Sequence, residues 1–180
     1  LLLQPKRSPV ESLMRQSRAP GRIVLNLPEF SKREQRAYVV PAFLRGLKSV
    51  EIASCEDLGP ATKLVPTLLR EPSMQKIIVV DDDRIYPANL VCDLEDAAVS
   101  DADGAFGMSG WVVPKDMVDR PTTIYANFRM LPPAPVRARR VRGRMAVDVF
   151  QGLSGYVVRP GFFDLEALTD YRGAPSESFY

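Results

Sequence analysis

Through its first hundred residues the chain alternates short aliphatic runs with segments of helical spacing, and then it loses that rhythm. RIVLNLP (22–28) is an aliphatic run stopped by proline, which predicts a strand. SVEIASC (49–55) predicts another, and the three leucines of residues 1–3 fit the end of an earlier one. QKIIVVDDD (75–83) is the least ambiguous strand, because four consecutive aliphatics suit a strand covered on both faces. Between these runs, helical spacing marks residues 10–16, a segment from the Gly59-Pro60 turn to about Arg70, and residues 88–101. In the last of these, Leu90, Val91, Leu94, Ala97 and Ala98 form one apolar stripe. A polar stretch after residue 28 predicts partial helix around Pro41. GAFGMSGWVV (104–113) reads as extended, and 114–144 as irregular because of its prolines and arginines. Residues 145–164 read as a strand, a glycine turn and a second strand. Alternating strands and helices predict an α/β domain with a mainly parallel central sheet, followed by an irregular C-terminal half.

Composition narrows the chemistry. A chain of 180 residues, 46% of them hydrophobic, suffices for one core and is short for two, so residues 1–180 read as a single domain. With 24 Lys plus Arg against 22 Asp plus Glu, the balance does not suggest a general polyanion binder. No apolar run approaches the roughly 20 residues that span a bilayer. Cys55 and Cys92 are too few for a disulfide framework and lack zinc-site spacing, so they read as small buried hydrophobes. The chain has no histidine, which removes Ser-His-Asp and Cys-His nucleophile systems and His-rich zinc sites from this chain. Carboxylate, lysine and arginine chemistry remains.

Three carboxylates at the end of a buried strand are therefore the main candidate site. Ligands of open α/β sheets sit outside the carboxyl ends of the strands. In an extended segment Asp81 and Asp83 would share one face and Asp82 the other. Two such carboxylates repel unless a cation lies near, and Mg²⁺ or Mn²⁺ bound by one or two carboxylates, water and phosphates is the natural occupant. The competing reading is an acidic turn that places Asp83 or Asn89 near the next helix N-terminus. The aliphatic run before the triplet and the lack of a neighbouring base before Arg84 favour the metal. Response-regulator receivers and haloacid-dehalogenase-like phosphatases also use strand-end aspartates, but both need a late lysine. Here the last lysine is Lys115.

A third family fits more of the chain. QPKR (4–7), RIVLNLP (22–28), EDLGPATK (56–63), VDDDRIYP (80–87), Gly110-Trp111 and VDVFQGLSGYVVRPGFFD (147–164) occur in an order that resembles the GT-A type glycosyltransferases, specifically a DxD set with bacterial and plant or algal members. The resemblance implies a Rossmann-like GT-A fold, with residues 1–105 as the nucleotide-binding half and 106–180 as an incomplete sugar and acceptor half. It implies that Asp81 and Asp83 hold Mn²⁺ or Mg²⁺, with Asp81 near the ribose or metal, and that Lys63 reaches the nucleotide or diphosphate of a nucleoside-diphosphate sugar. Arg7 matches the family's basic residue after the first strand, although Gln4 replaces the usual threonine. Gly152 and Gly155 in QGLSGY would lie along the sugar and acceptor side, or simply form a tight hairpin. Trp111 is a sugar platform or a core aromatic.

The implied activity is metal-dependent transfer of a sugar to the hydroxyl of a glycan or other acceptor. Relatives continue past PSESFY (175–180) into an acidic segment, whereas this chain stops at Tyr180. The resemblance therefore places the base beyond Tyr180, and Asp148 and Asp164 are the nearest candidates within the chain. The first residue is also Leu rather than Met, so the chain reads as a piece of a longer one. The alternative is a non-catalytic sugar-nucleotide or carbohydrate binder, either a degenerate relative or a truncated product. The resemblance leaves the Golgi lumen and the cytoplasm both open. VRARRVRGR (136–144) could meet nucleic acid or an anionic membrane, but no aromatics interleave with its arginines. A loop closing over diphosphate, or a solvated loop, is the expected reading, with no nucleic-acid partner.

Overall fold

The computed structural model describes residues 9–32, 34–118, 123–129, 133–141 and 143–170. The predicted strand at residues 1–3, Arg7 and the chain end at Tyr180 lie outside the described residues. Helix α1 (Pro9–Met14) comes first, followed by strand β1 (Ile23–Pro28), the short pair β2 (Phe30–Ser31) and β3 (Arg36–Ala37), helix α2 (Ala42–Arg45) and β4 (Val50–Cys55). A 3-10 helix, Gly59–Lys63, leads into α3 (Val65–Leu68), β5 (Ile77–Val79) and α4 (Leu90–Ser100). The second half contains β6 (Phe106–Gly107), β7 (Ser109–Val112), α5 (Ile124–Arg129), β8 (Ala134–Arg137), β9 (Val149–Phe150), β10 (Tyr156–Val158) and α6 (Leu165–Thr169).

The expected mainly parallel GT-A sheet is not what forms. One pair is parallel, β1 on β4, with Ile23 opposite Val50 through Pro28 opposite Cys55. All other pairings among the described residues are antiparallel, in sheets ordered β5-β10-β6, β8-β7-β9 and β2-β3. Parallel neighbours need a crossover of a dozen or more residues, which the chain supplies between β1 and β4. Strand β5 instead takes β10 as its neighbour, arriving antiparallel from the far end of the chain, with Val79 opposite Tyr156. The strands β1 and β5 do not pair with each other. They flank a cleft of about 540 Å³ lined by Ile23, Val24, Ile77 and Ile78.

Other elements also depart from the pattern. The helix expected from residue 59 to about 70 is broken into a 3-10 helix and one turn of α-helix. Pro66 has no N–H to continue the ladder, and its ring disfavours helix in the residue before it. The segment 114–144 is not wholly irregular, since it holds α5 and β8. The strands β9 and β10 do not form a hairpin either: β9 pairs with β7, while β10 pairs with β5 and β6. Both cysteines are free and half-buried.

The core lies on the two faces of β5-β10-β6. Leu90, Leu94 and Ala98 of α4 pack with Tyr86 and Val157 in one cluster. Leu68, Val79 and Val158 form the other, with Leu165 and Leu168 of α6 packed against them. Burying one such side chain stabilises by roughly 1.5–3 kcal/mol. The stripe predicted for α4 is the face that is buried, with Leu90, Val91, Leu94 and Ala98 inside and Ala97 at the boundary. Buried Arg159, directly after β10, donates to the carbonyl of Ala98 in the last turn of α4 at 2.9 Å and to that of Ala102 just beyond the helix, so a cation serves the C-terminal end of α4.

Candidate functional site

Strand β5 ends at Val79, and the chain turns at Asp82 and Asp83. Asp81 is half-buried, while Asp82 and Asp83 occupy an exposed turn. The extended alternation expected for residues 81–83 therefore does not hold, and Asp81 alone points into the structured part of the site.

Its partner is Lys63, whose Nζ donates to Asp81 Oδ1 at 2.6 Å. Lys63 is the last residue of the 3-10 helix, so the Gly59-Pro60 turn delivers the ammonium to the strand end. Gly152 is the third member. A Cβ built on it would lie 2.8 Å from Lys63 Nζ, so a side chain here would displace the ammonium. Gly155 has φ +89° and ψ 139°, a backbone that L side chains rarely adopt, and it closes the 3-10 turn Gly152–Ser154. Lys63, Asp81 and Gly152 thus come from three separate segments to one place at the C-terminal end of β5.

A tyrosine that the sequence reasoning passed over ties these segments together. The buried Tyr86 hydroxyl accepts from the N–H of Asp81 at 2.8 Å and lies 3.3 Å from the Leu153 carbonyl oxygen. One hydroxyl therefore joins the acidic turn to the glycine turn. Burial pushes this phenol up from its ordinary value, the bond from the Asp81 N–H opposes that, and the charges of Asp81 and Asp83 push it up again. Both carboxylates are thus felt at one hydroxyl. Tyr156 is also pushed up, first by burial and then by Asp81, and it stacks on Phe150 with ring centroids 5.7 Å apart. The sequence signal was only a tyrosine three residues after the aspartates; its burial beside exposed neighbours is a property of the fold.

Helix α1 and Gln16 just after it hold the loop that follows. The N–H of Tyr86 donates to Ser12 Oγ at 3.0 Å, and Gln16 bridges the Pro87 carbonyl and the N–H of Val91 in the first turn of α4. Asn89 stands at the N-cap of α4 but turns its amide to Asp93 instead of capping the backbone. The competing reading of an acidic turn with Asn89 near the helix N-terminus thus holds in position, although neither Asp83 nor Asn89 makes a side-chain capping bond there.

The base candidates lie in other settings. Asp148 Oδ2 accepts from the N–H of Val113 at 2.7 Å, and the Asp148 N–H donates to the Trp111 carbonyl at 2.9 Å, which fastens the chain entering β9 to β7. Asp164 Oδ1 accepts from the N–H of Ala167 at 3.1 Å as the N-cap of α6. Both carboxylates serve backbone amides. The expectation of a base beyond Tyr180 falls outside the described residues, which end at Asp170. Trp111 is half-buried on β7 opposite Pro135 and Val149. Among the arginines of 137–144, Arg144 lies over the Phe106 ring and bonds Ser100. Arg137, Arg139 and Arg140 are exposed, and none forms an ion pair among the described residues.

Asp81 and Asp83 offer oxygen ligands only, in the small number that suits a magnesium or manganese ion completed by phosphates and water. No cage of three His, Cys, Asp or Glu side chains is gathered among the described residues. No helix among them is long and apolar enough to cross a membrane. No family model, no curated protein and no solved structure matches the chain.

Proposed function

We propose that the chain binds a nucleoside-diphosphate sugar at the end of β5 and transfers the sugar to an acceptor hydroxyl, with a divalent metal as cofactor. The observation that carries this reading is the meeting of Lys63, Asp81 and Gly152, with Nζ to Oδ1 at 2.6 Å and no side chain at the glycine. A cation beside a carboxylate, next to a bare glycine backbone, suits a diphosphate approaching closely. The proposal rests on this site and not on the sheet.

In it, Lys63 would leave Asp81 for a phosphate oxygen, and Asp81, joined by Asp83 from the exposed turn, would hold Mn²⁺ or Mg²⁺. The metal, when bound, supplies neutralisation of the charge that develops on the departing diphosphate. Tyr86 fixes the backbone of Asp81 and, through Leu153, the turn that flanks the sugar. A second reading, binding of the sugar nucleotide without turnover, is favoured by one observation: Asp148 and Asp164 both already accept bonds from backbone amides.

Thermal-shift measurements with nucleoside diphosphates and sugar nucleotides, with and without Mn²⁺, test the site. A ligand at a hundred times its Kd stabilises by about 2.7 kcal/mol. The expected result is a metal-dependent rise with at least one nucleotide, abolished in Asp81→Ala and in Lys63→Ala. No shift with any nucleotide, or a shift unchanged in both variants, rejects it. Release of free nucleoside diphosphate with an acceptor present separates transfer from binding alone.

A further inference from the structure

The segment between β7 and β9 carries a charge that the whole-chain total hides. Residues 113–144 hold eight of the 24 Lys and Arg and two of the 22 Asp and Glu, so this stretch is formally +6 while the rest of the chain is −4. The structure adds what the sequence spacing concealed. Strands β7 and β8 pair antiparallel, and α5, in the connection between them, contacts β8. Side chains well upstream of the arginines therefore belong to the same arm.

Those side chains are apolar and bare. Ile124 and Phe128 are 91% and 85% exposed, Met117 is 79% exposed, and Val118 and Tyr125 are also exposed. Arg129 stacks its guanidinium over the Tyr125 ring at 4.8 Å. In the same segment, Arg137 at the end of β8, the strand that α5 contacts, and Arg139 and Arg140 just after it are exposed without acidic partners among the described residues. Isolated exposed apolar residues need no explanation, but a group of them within one basic segment does.

We infer that this arm docks on an anionic lipid surface. Ile124, Phe128 and Met117 would enter the boundary between headgroups and acyl chains, while the arginines meet lipid phosphates. A nucleic acid would match the charge but leave the aliphatic side chains in water. An apolar protein surface would match α5 but leave the positive excess unanswered. The negative remainder of the chain would orient the arm toward the membrane.

Co-sedimentation of the full chain with phosphatidylcholine vesicles, with or without about one-third phosphatidylglycerol, tests the inference. The expected result is sedimentation with the anionic vesicles only, weakening as salt rises. Removing Arg137, Arg139 and Arg140 together by Arg→Gln should lower partitioning by about five-fold per residue. Ile124→Ser with Phe128→Ser should lower it while leaving the salt dependence in place. In Phe128→Trp, the emission should move to the blue when anionic vesicles are added. Absence of sedimentation with anionic vesicles overturns the inference. So does binding that is unaffected by Ile124→Ser with Phe128→Ser and is competed off by single-stranded RNA, because that would mark a polyanion site.

Discussion

The hydroxyl of Tyr86 accepts a hydrogen bond from the backbone N–H of Asp81 and faces the Leu153 carbonyl, so a single atom sets the distance between the acidic turn and the glycine turn. Tyr86→Phe leaves the Asp81 N–H without that acceptor, at a cost of about 1–3 kcal/mol. Urea unfolding should show this loss, and nucleotide-dependent stabilisation should weaken with it. The two glycines of the turn behave differently. At Gly152 the added methyl meets the flexible end of Lys63, so Gly152→Ala should cost less than about 1 kcal/mol in folding while displacing the ammonium from Asp81. At Gly155 the backbone sits at φ +89° and the new carbon would lie 3.1 Å from Leu90 Cδ1 in the core. Gly155→Ala should therefore destabilise by about 1–3 kcal/mol. Equal midpoints for the two variants would contradict this assignment.

Helix α4 was legible because it is eleven residues long and the period of its apolar stripe does not depend on distant partners. The helix expected from residue 59 to about 70 was misread because Pro66 interrupts it, an effect of a missing backbone donor that an apolar pattern does not register. The polar face of α4 adds a pH dependence. Glu95 lies between Lys76 and Arg18, and the hydrogen bond from Lys76, against the opposing effect of burial, holds its carboxyl below the ordinary 4.5. Asp96 is likewise held below its ordinary value, first by the hydrogen bond from Arg18. A depressed carboxylate contributes stability that is present above its unfolded pKa and is lost as pH falls through the lower folded value. Urea midpoints measured from about pH 6 down to about pH 3 should therefore fall, and Glu95→Gln should flatten that acid limb. An acid limb identical in wild type and Glu95→Gln would show that the pair adds nothing.

At the scale of the whole molecule, local runs announced the strands but not their partners. The aliphatics of β5 suited a strand covered on both faces, and helices do cover both faces. Its neighbour, however, is a strand almost eighty residues away, and no local period encodes that pairing. The contact of Lys63 with Asp81 is equally non-local, and the family resemblance had placed each against the nucleotide or metal without pairing them, whereas the roles of Asp148 and Asp164 as backbone acceptors depend on strand and helix starts that the pattern placed only coarsely. The same topology distributes stability unevenly. The sheet β5-β10-β6 has a buried cluster on each face, whereas in the arm Val136 is the large apolar side chain buried among the described residues of α5 and β8. Regions with few buried apolar contacts open at lower free energy than the global transition. Native-state hydrogen exchange should find the amides of β10 exchanging through global unfolding and those of α5 and β8 through local opening. Leu94→Ala, which removes a buried side chain from the larger cluster, should cost about 2–5 kcal/mol. It should speed β10 exchange by the full equilibrium factor while leaving α5 and β8 unchanged. Uniform acceleration across both regions would mean that the arm and the sheet unfold as one cooperative unit.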